Sequence, residues 1–397
     1  MKVTIQPSRL KGSVAAVASK SYAHRAVIAA ALSNAETEII LNTSSQDIEA
    51  TLSCIEALGA KWEKSEKGIK VYPIVRAEKF PTLDCNESGS TARFLMPVAA
   101  ALYNQSRFEG RGRLTQRPFD PLLAAMSLKG VATSSGHIPL TLSGGLKGGK
   151  YEIAGNISSQ YISGLMFALP LISGGEICLT TPLESAAYVD MTIEVMAQFG
   201  VKVIKTSDRY VVSEGRYLSP GEYRVEGDWS NSAFWLAANR MGALIEVSGL
   251  NPSSTQGDKR ILEAVGKDEI DAAEIPDLVP ILAVYAASKN GQTKIVNAAR
   301  LRLKESDRLH TVAQTLSALG GDIEEFKDGL VINGTGCLKG GRVDGAGDHR
   351  IIMSAAIAAV ICKSAVEITG AEAVNKSYPT FFEDYKRLGG DINVTGD

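Results

Sequence analysis

Hydrophobic and polar positions alternate along the chain in a pattern that returns six times. Each round begins with a polar cluster and continues with a helix of small apolar residues, a β-branched strand and an amphipathic helix that stops at glycine. The clusters begin at Ser19, Ser88, Ser158, Asp228, Asp277 and Asp348, with spacings of 69, 70, 70, 49 and 71 residues. Repetition at this period predicts an architecture of related structural units.

The first unit shows the pattern in full. Residues 19–32 are rich in alanine and predict a helix, and residues 38–41 predict a short strand. Apolar residues then recur every three or four positions over residues 48–58, which indicates one buried face of a second helix. Ser44 and Asp47 precede this face with the spacing of a capping box in which Asp replaces the usual Glu.

Extended segments with turn glycines lie between units, and residues 138–153 and 210–225 are examples that predict strand pairs. The fourth unit lacks such a pair, which explains its shorter spacing. Each unit is therefore predicted as β-α-β-α-β-β. Interleaved helices and strands place the chain in the α/β (α+β) class, with helices covering sheets.

Six units predict two domains of three units each. We place the N-terminal domain at residues 12–226 and the C-terminal domain at residues 227–397. Residues 1–11 belong to no unit and predict a strand that crosses over to join the second domain. The two linkers would then lie side by side and form a hinge.

The composition excludes several classes of protein. The chain has 397 residues, a net charge of −2 and a sequence pI near 6.2, which argues against a binder of nucleic acid or anionic membranes. Its five scattered cysteines predict reduced thiols in the cytoplasm, and its four histidines lack metal-ligand spacing. The N-terminus has no signal-peptide pattern, and the apolar runs are too short to span a bilayer. We expect a monomer.

The polar clusters contain more than helix caps require. Ser, Thr and Asp are common N-caps, and capping is the simpler interpretation of each cluster taken alone. It does not explain the cations and polar groups that accompany the caps, which are Lys20, Arg25, Arg93, Gln160, His349 and Arg350. Helix N-termini with added Lys and Arg suit multiply charged anions.

One further stretch, residues 301–309, carries five charges in nine positions between a predicted strand and a helix. It fits a solvated turn, which is the commoner meaning of a charge run. It also fits a ligand-facing group of cations and one carboxylate. The stretch alone leaves both interpretations open.

Nine motifs run in order from residue 19 to residue 379. They are Ser19-Lys20-Ser21-x-x-x-Arg25, Ser88-Gly89-Ser90-Thr91-Ala92-Arg93, Gln116-Arg117-Pro118, Ser158-Ser159-Gln160-Tyr161, Glu226-Gly227-Asp228, Pro276-Asp277, Lys304-Glu305-Ser306-Asp307-Arg308, Asp348-His349-Arg350 and Asn375-Lys376-Ser377-Tyr378-Pro379. With these motifs the chain resembles the 5-enolpyruvylshikimate-3-phosphate synthase family over essentially its whole length. Each motif is weak alone, and the ordered set is highly specific.

The resemblance implies two domains, each an inside-out α/β barrel of three βαβαββ units with helices in the middle, which close on ligand. The implied activity transfers the enolpyruvyl group of phosphoenolpyruvate to the 5-hydroxyl of shikimate 3-phosphate and releases phosphate. This is the penultimate step towards chorismate and aromatic amino acids. It implies small-molecule substrates and neither a metal nor an organic cofactor.

The resemblance also implies roles for particular residues. The positions that match phosphoenolpyruvate ligands are Lys20, Gly89, Arg93, Arg117, Gln160, Arg308, Arg350 and Lys376. Those that match shikimate 3-phosphate ligands are Ser21, Arg25, Ser158, Ser159, Gln160, Ser185, Tyr188, Asp277 and Lys304. Together the two substrates carry about five or six negative charges, which these cations would balance.

Proton transfer needs a base at the 5-hydroxyl and an acid at the methylene carbon, and two carboxylates can fill these roles. We assign Asp277 as the base and Glu305 as the acid. Lys20 and His349 are competing proton carriers, although His349 fits a cap or hydrogen-bond partner equally well. The remaining histidines are predicted to be structural or surface residues.

Three positions depart from common family patterns. Glu87 stands where many members have Asn, Ser90 where many have Thr, and Arg300 where some have Asn. These differences bear on the response to glyphosate, an inhibitor at the phosphoenolpyruvate site. They leave the implied reaction unchanged.

Three alternatives compete with this interpretation. The sister enolpyruvyl transferase that acts on UDP-N-acetylglucosamine usually has Lys-Asn at the first motif and a loop cysteine, whereas this chain has Lys20-Ser21. A non-catalytic repeat scaffold would not need the catalytic carboxylates and cations together. RNA 3′-phosphate cyclase shares part of the fold, but the acidic balance of the chain argues against it.

Overall fold

A computed structural model describes residues 1–75 and 80–396, with about 39% helix and 26% strand. The α-helices are α1 (Lys20–Leu32), α2 (Gln46–Ala57), α3 (Gly89–Leu102), α4 (Asp120–Ser127), α5 (Ser159–Ala168), α6 (Ala186–Gln198), α7 (Trp229–Arg240), α8 (Ile261–Ala264), α9 (Val279–Ser288), α10 (Arg308–Ala318), α11 (His349–Ala358) and α12 (Phe381–Arg387). Short 3-10 helices cover Gly112–Gln116, Leu169–Leu171, Gly257–Arg260, Pro276–Leu278, Ala299–Leu303, Ala359–Ile361 and Ala371–Lys376. None of the helices in the described ranges is long and apolar enough to cross a membrane.

The strands are short and distributed along the whole chain. They are β1 (Lys2–Ile5), β2 (Lys11–Ala15), β3 (Thr37–Ile40), β4 (Lys61–Lys64), β5 (Gly68–Tyr72), β6 (Thr82–Asp84), β7 (Gln105–Glu109), β8 (Ala132–Thr133), β9 (Leu140–Ser143), β10 (Gly149–Ile153), β11 (Gly175–Leu179), β12 (Val203–Lys205), β13 (Arg209–Val212), β14 (Glu222–Arg224), β15 (Leu244–Ser248), β16 (Glu269–Asp271), β17 (Asn290–Val296), β18 (Asp322–Phe326), β19 (Gly329–Thr335), β20 (Gly341–Asp344), β21 (Val366–Thr369) and β22 (Ile392–Thr395).

The chain divides into two compact units. One comprises Ala18–Glu226, and the other combines Met1–Val17 with Gly227–Asp397. Each unit has its own hydrophobic core of buried residues. Two domains of mixed helix and sheet agree with the fold class predicted from the repeat.

The described residues of the unit formed by Ala18–Glu226 build three four-stranded sheets. Their strand orders are β14-β3-β5-β4, β6-β7-β9-β8 and β10-β11-β13-β12. In each sheet the first two strands are parallel, and an antiparallel hairpin follows. Parallel neighbours need a crossover connection, and the buried first helix of a repeat supplies it where both strands come from one repeat.

In the second unit, the residues up to 396 build two sheets of the same kind and one smaller sheet. Their orders are β16-β17-β19-β18, β20-β21-β1-β22 and β15-β2. The two-stranded sheet belongs to the fourth repeat, which was predicted to lack a hairpin. Strand β1 pairs antiparallel with both β21 and β22, so the start of the chain completes the sheet of the last repeat.

The first helix of each repeat is buried. In α1, every residue from Tyr22 to Ala31 is buried, and in α11 all ten residues are buried. A helix that is buried all round belongs in an interior rather than on a surface. Close packing requires small residues, and a Cβ on Gly164 of α5 would lie 2.2 Å from the Arg93 carbonyl oxygen of α3. Because the first helices are made of small apolar residues, they can pack closely in the interior of a unit, with the sheets outside them.

The capping box predicted at Ser44 and Asp47 is wrong. Helix α2 has Ser45 at its N-cap position, and no side chain makes a capping hydrogen bond there. The Asp47 carboxylate instead accepts a hydrogen bond from Lys20 Nζ at 2.8 Å. An ion pair with another helix has therefore taken the place of the local cap.

Candidate functional site

The same kind of turn precedes two of the first helices, α3 and α11. The Asn86 amide donates to Asp84 Oδ1 at 2.8 Å, and the Ala346 amide donates to Asp344 Oδ1 at 2.9 Å. Asn86 and Ala346 both have positive φ, at 49° and 50°. Each turn directly precedes a helix whose cap carboxylate or hydroxyl accepts a backbone N–H. The repeat thus presents helix N-termini with the same local geometry.

Four of the six clusters contain a side-chain N-cap, as the simpler interpretation predicted. They are Ser88, Ser158, Asp228 and Asp348. Ser19 occupies the N-cap position of α1 without a capping hydrogen bond from its side chain. Asp277 lies within a 3-10 helix, and its carboxylate contacts cations instead. Capping therefore explains part of the pattern and leaves the cations to be explained.

Two buried guanidinium groups lie against the start of α3. A Cβ on Gly89 would lie 2.5 Å from Arg117 Nη1 and 2.9 Å from Arg93 Nη1, so only glycine leaves room for both. The two arginines are 3% and 6% exposed. Two like charges held close together at a helix N-terminus are stabilised by an anion. This arrangement fits a phosphate or carboxylate.

Gln160 connects this arginine pair to the neighbouring repeat. Its Oε1 accepts from Arg93 Nη1 at 2.8 Å, and its Nε2 donates to Ser90 Oγ at 2.8 Å. The backbone amide of Gln160 donates to Ser158 Oγ at 3.3 Å, and Ser159 begins α5. The structure therefore brings residues from two of the motifs into one polar group.

Arg25 lies beside Ser21 and Tyr188, which the sequence placed in the same ligand group. Its Nη1 donates to the Ser21 carbonyl at 2.6 Å and its Nη2 to the Tyr188 carbonyl at 2.7 Å. Its Nε donates to Thr192 Oγ1 at 2.8 Å. Burial lowers the pKa of Arg25 to about 10. These bonds join α1 to α6, whose N-cap residue Ser185 has a left-handed φ of 55°.

Arg308 is the centre of the charged group in the other unit. Its Nε lies 2.8 Å from Asp348 Oδ2, its Nη1 lies 2.6 Å from Asp277 Oδ1, and its Nη2 lies 2.7 Å from Glu305 Oε2. Burial alone would lower the pKa of Arg308, but the three carboxylates raise it well above its ordinary value. Arg308, which was predicted to bind phosphoenolpyruvate, thus also contacts the predicted base Asp277 and the predicted acid Glu305.

Three cations surround the Asp277 carboxylate. Besides Arg308, Arg350 Nη2 lies 3.1 Å from Oδ2 and Lys304 Nζ lies 3.4 Å from Oδ1. Burial lowers the pKa of Lys304 to about 8, although the charge of Asp277 opposes this shift. Opposite charges at this distance stabilise the anionic carboxylate, the form a general base requires.

Two further candidates lie next to this group. Lys376 Nζ donates to the Gly347 carbonyl at 2.7 Å, immediately before the cap of α11. His349 is 2% exposed, and its Nδ1 lies 3.9 Å from Asp348 Oδ1.

Asp307 caps α10 by accepting from the His310 amide. Ser306 Oγ donates to Asp348 Oδ2 at 3.0 Å, so Ser306 is part of the charged group around Arg308.

Sequence reasoning missed Asp258. The residue is 3% exposed, and burial raises the pKa of its carboxyl group to about 6. The negative charge of Asp277 contributes to this rise, and Arg350 opposes it. An isolated Asp in a Gln-Gly-Asp-Lys-Arg stretch resembles a surface turn, so no signal in the sequence distinguishes it.

The predicted site residues fall into two sets, one in each compact unit. The set in Ala18–Glu226 contains Lys20, Ser21, Arg25, Gly89, Arg93, Arg117, Ser158, Ser159, Gln160, Ser185 and Tyr188. The set in the other unit contains Asp277, Lys304, Glu305, Arg308, His349, Arg350 and Lys376. The first is dominated by cations and hydroxyls, and the second pairs cations with the candidate acid and base.

Comparison with known sequences identifies the family. A family model described as EPSP synthase (3-phosphoshikimate 1-carboxyvinyltransferase) matches residues 5–269 and 267–385. The chain belongs to this family. The family found is that of the shikimate enzyme, which favours it over the UDP-N-acetylglucosamine transferase.

Members of the EPSP synthase family from other organisms match along the full chain. A protein of Clostridium acetobutylicum named 3-phosphoshikimate 1-carboxyvinyltransferase is 44% identical over 420 residues, covering 98% of each chain. One of the same name from Clostridium perfringens is 43% identical over 417 residues, again covering 98% of each. The solved EPSP synthase of Acinetobacter baumannii is 25% identical, with a TM-score of 0.82 and 100% coverage of both chains.

Proposed function

We propose that this protein transfers the enolpyruvyl group of phosphoenolpyruvate to the 5-hydroxyl of shikimate 3-phosphate. The products are 5-enolpyruvylshikimate 3-phosphate and phosphate, on the route to chorismate and the aromatic amino acids. Membership of the EPSP synthase family over the whole chain supports this reaction. The observation that carries it in the structure is the Asp277 carboxylate held among three cations, with Glu305 on the same arginine.

The reaction proceeds by addition and elimination. In the addition, the 5-hydroxyl oxygen bonds to the central carbon of phosphoenolpyruvate, the hydroxyl loses a proton, and the methylene carbon gains one. The resulting tetrahedral ketal phosphate then loses a methyl proton and its phosphate group, which restores the double bond. Both steps need a proton acceptor, a proton donor and cations that balance the substrate charges.

In this proposal, Asp277 takes the proton of the 5-hydroxyl and Glu305 delivers a proton to the methylene carbon. The cations around Asp277 support its role as the base. Glu305 accepts a bond from Arg308 through Oε2. Lys20, paired with Asp47, and the buried His349 remain alternative proton carriers.

The substrate ligands are proposals as well. The arginine pair at Gly89 supports phosphoenolpyruvate binding by Gly89, Arg93, Arg117 and Gln160, and the remaining donor ligands would be Lys20, Arg308, Arg350 and Lys376. For shikimate 3-phosphate, the proposed ligands are Ser21, Arg25, Ser158, Ser159, Gln160, Ser185, Tyr188, Asp277 and Lys304. Domain closure, a cytoplasmic location and a monomeric state stay predictions.

A direct assay tests the reaction. Purified protein is mixed with phosphoenolpyruvate and shikimate 3-phosphate, phosphate release is followed, and the organic product is identified by its mass. We expect release that depends on both substrates and on intact protein. Release with UDP-N-acetylglucosamine but not with shikimate 3-phosphate would overturn the proposal in favour of the sister enzyme.

A further inference from the structure

A chain of four buried side chains leads to the start of α3. His24 Nδ1 and Thr51 Oγ1 lie 2.7 Å apart, Thr51 Oγ1 and Thr91 Oγ1 lie 2.7 Å apart, and Thr91 Oγ1 and Ser88 Oγ lie 2.7 Å apart. All four residues are at most 1% exposed. They lie on α1, α2, α3 and the cap of α3, among the buried apolar residues of this unit. Polar groups in such a place are costly unless they are hydrogen-bonded.

The hydrogen bonds that join these four side chains all run in one direction, from donor to acceptor. Thr91 donates its single hydroxyl proton to Ser88 Oγ, so Thr51 must donate in the bond between the two threonines. The other acceptor within reach of Thr51, the Asp47 carbonyl, is 3.4 Å away and forms a weaker bond. Thr51 therefore accepts from His24, which requires a proton on His24 Nδ1. Burial, followed by the charges of two neighbouring cations, lowers the pKa of His24 and keeps the ring neutral.

This direction has a consequence at Ser88. Its Oγ accepts from the Thr91 hydroxyl and from the Thr91 amide at 3.3 Å. In the two described ranges, residues 1–75 and 80–396, no hydrogen bond uses the Ser88 hydroxyl proton. Ser88 directly precedes Gly89, against which the Arg93 and Arg117 guanidinium groups lie. The Ser88 proton is thus left for an oxygen of an anion at this helix start.

We propose that His24 is a positioning residue for the anion site at the start of α3, where phosphoenolpyruvate is proposed to bind. Its Nδ1–H tautomer orients the hydroxyl chain and fixes Ser88 beside the arginine pair, with the Ser88 proton available to a bound anion. In the opposite tautomer, Nδ1 would accept from Thr51, and the direction of the hydrogen bonds would be reversed. The Ser88 proton would then be donated to Thr91 within the protein. The proposal rests on the proposed function in so far as the anion is phosphoenolpyruvate, but the geometry applies to any phosphate bound there. Hydrogen bonds in such a chain polarise one another, so a change at His24 reaches Ser88.

The tautomer can be observed directly. The intact protein has four histidines, so ¹⁵N-labelled histidine gives a simple spectrum in which the His24 signals are assigned with His24→Asn. Two-bond proton–nitrogen correlations distinguish the two neutral tautomers. We expect the Nδ1–H form at neutral pH. The Nε2–H form, or a charged ring, would overturn the proposal whatever reaction the protein catalyses.

Variants test the effect on anion binding. His24→Leu removes the donor, whereas His24→Asn keeps an N–H close to the position of Nδ1. Calorimetry with inorganic phosphate should give a Kd raised about fivefold in His24→Leu and restored to within about twofold in His24→Asn. The KM for phosphoenolpyruvate should change in parallel, with little change in the KM for shikimate 3-phosphate. Thr293→Val, which changes a buried threonine in the other unit, is the control and should alter neither.

A second substitution in the same row of hydrogen-bonded side chains keeps the proposal testable if His24→Leu does not fold. Thr91→Val interrupts the chain two bonds from His24, so it should raise the phosphate Kd to the same extent. The double variant should then be no worse than either single variant. An unchanged phosphate Kd in a folded His24→Leu or Thr91→Val protein would leave the histidine a packing role only and overturn the proposal. The phosphate measurement decides this even if the transferase assay fails.

Discussion

Arg308 Nε and Asp348 Oδ2 lie 2.8 Å apart, and the two side chains are 1% and 0% exposed. Asp348 also caps α11 by accepting from the Arg350 amide at 3.0 Å. One carboxylate therefore fixes both the helix start and the arginine that contacts Asp277 and Glu305. The stability of this unit and the geometry of the candidate acid and base depend on the same ion pair.

Substitution of Asp348 by Ala should destabilise the protein more than the loss of a cap. Removing one partner of a buried ion pair leaves an uncompensated charge and costs about 3–5 kcal/mol. Asp228→Ala is the matched control, since Asp228 is also buried and caps α7 by accepting from the Asn231 amide. Its cost should stay near that of a cap, about 0.5–2 kcal/mol. Urea unfolding measures both, and equal losses would contradict the role given to the Arg308 pair.

The binding of shikimate 3-phosphate should weaken above the pKa of Lys304. This pKa is lowered to about 8 by burial, so the amine loses its charge across the alkaline range that leaves most lysines charged. If the ammonium binds the substrate phosphate, the KM should rise as the pH increases from about 7 to about 9.5. Lys304→Arg keeps the charge over this range and should flatten the profile. A parallel rise in both proteins would assign the titration to another group.

The lowered pKa of Lys304 also predicts how the free energy of unfolding changes with pH. Between about pH 8 and the ordinary lysine pKa near 10.4, the unfolded chain binds more protons at this position than the folded chain. The contribution of Lys304 to the free energy of unfolding therefore increases as the pH rises through this window. Comparing wild type with Lys304→Met by chemical denaturation at several pH values isolates the contribution.

Gly89→Ala should weaken binding of the donor without unfolding the protein. The new Cβ would overlap Arg117 Nη1 and Arg93 Nη1, which are the ends of flexible side chains and can move at little cost. The arginine pair would then lose its geometry, and we expect the KM for phosphoenolpyruvate to rise roughly tenfold. Gly215→Ala is the control because its Cβ would meet nothing within 4 Å. An unchanged KM in Gly89→Ala would argue against an anion site at this helix start.

Gly164→Ala provides a contrasting substitution in the same pair of helices. Its Cβ would lie 2.2 Å from the Arg93 carbonyl oxygen, which belongs to the backbone and cannot move alone. We therefore expect a clear loss of thermal stability, in the range of overpacked cores at about 1–3 kcal/mol. A lower midpoint for Gly164→Ala than for Gly89→Ala would separate helix packing from ligand geometry.

The repeat, the fold class and most helix caps could be predicted from the sequence because they depend on local periodicity. Helix starts at Ser88, Ser158, Asp228 and Asp348 are specified by residues within three positions of the cap. Contacts between distant residues could not be predicted in this way. The sequence-based capping box failed because the Asp47 carboxylate binds Lys20 from another helix.

The same limit explains what was missed in the site. His24 lies on an apolar helix and was assigned a structural or surface role, since its partner Thr51 lies on another helix and Thr51 in turn bonds to Thr91 on a third. The resemblance placed Arg308 among the donor ligands, but motif matching could not show that three carboxylates surround it. These features depend on tertiary structure.

Conservative changes at the two candidate proton carriers should separate chemistry from binding. Arg308 Nη2 lies 2.7 Å from Glu305 Oε2, and Glu305→Gln keeps an oxygen that can accept this bond. The substitution removes the carboxyl group, so the side chain can no longer act as a general acid. Loss of general acid catalysis should lower kcat about 10²- to 10⁴-fold with little change in either KM. Asp277→Asn should also lower kcat, but it removes the negative charge shared by three cations and should therefore alter substrate KM values as well. Rapid-quench measurement of a single turnover tests the acid role, and full-rate turnover by Glu305→Gln would assign the methylene proton to another group.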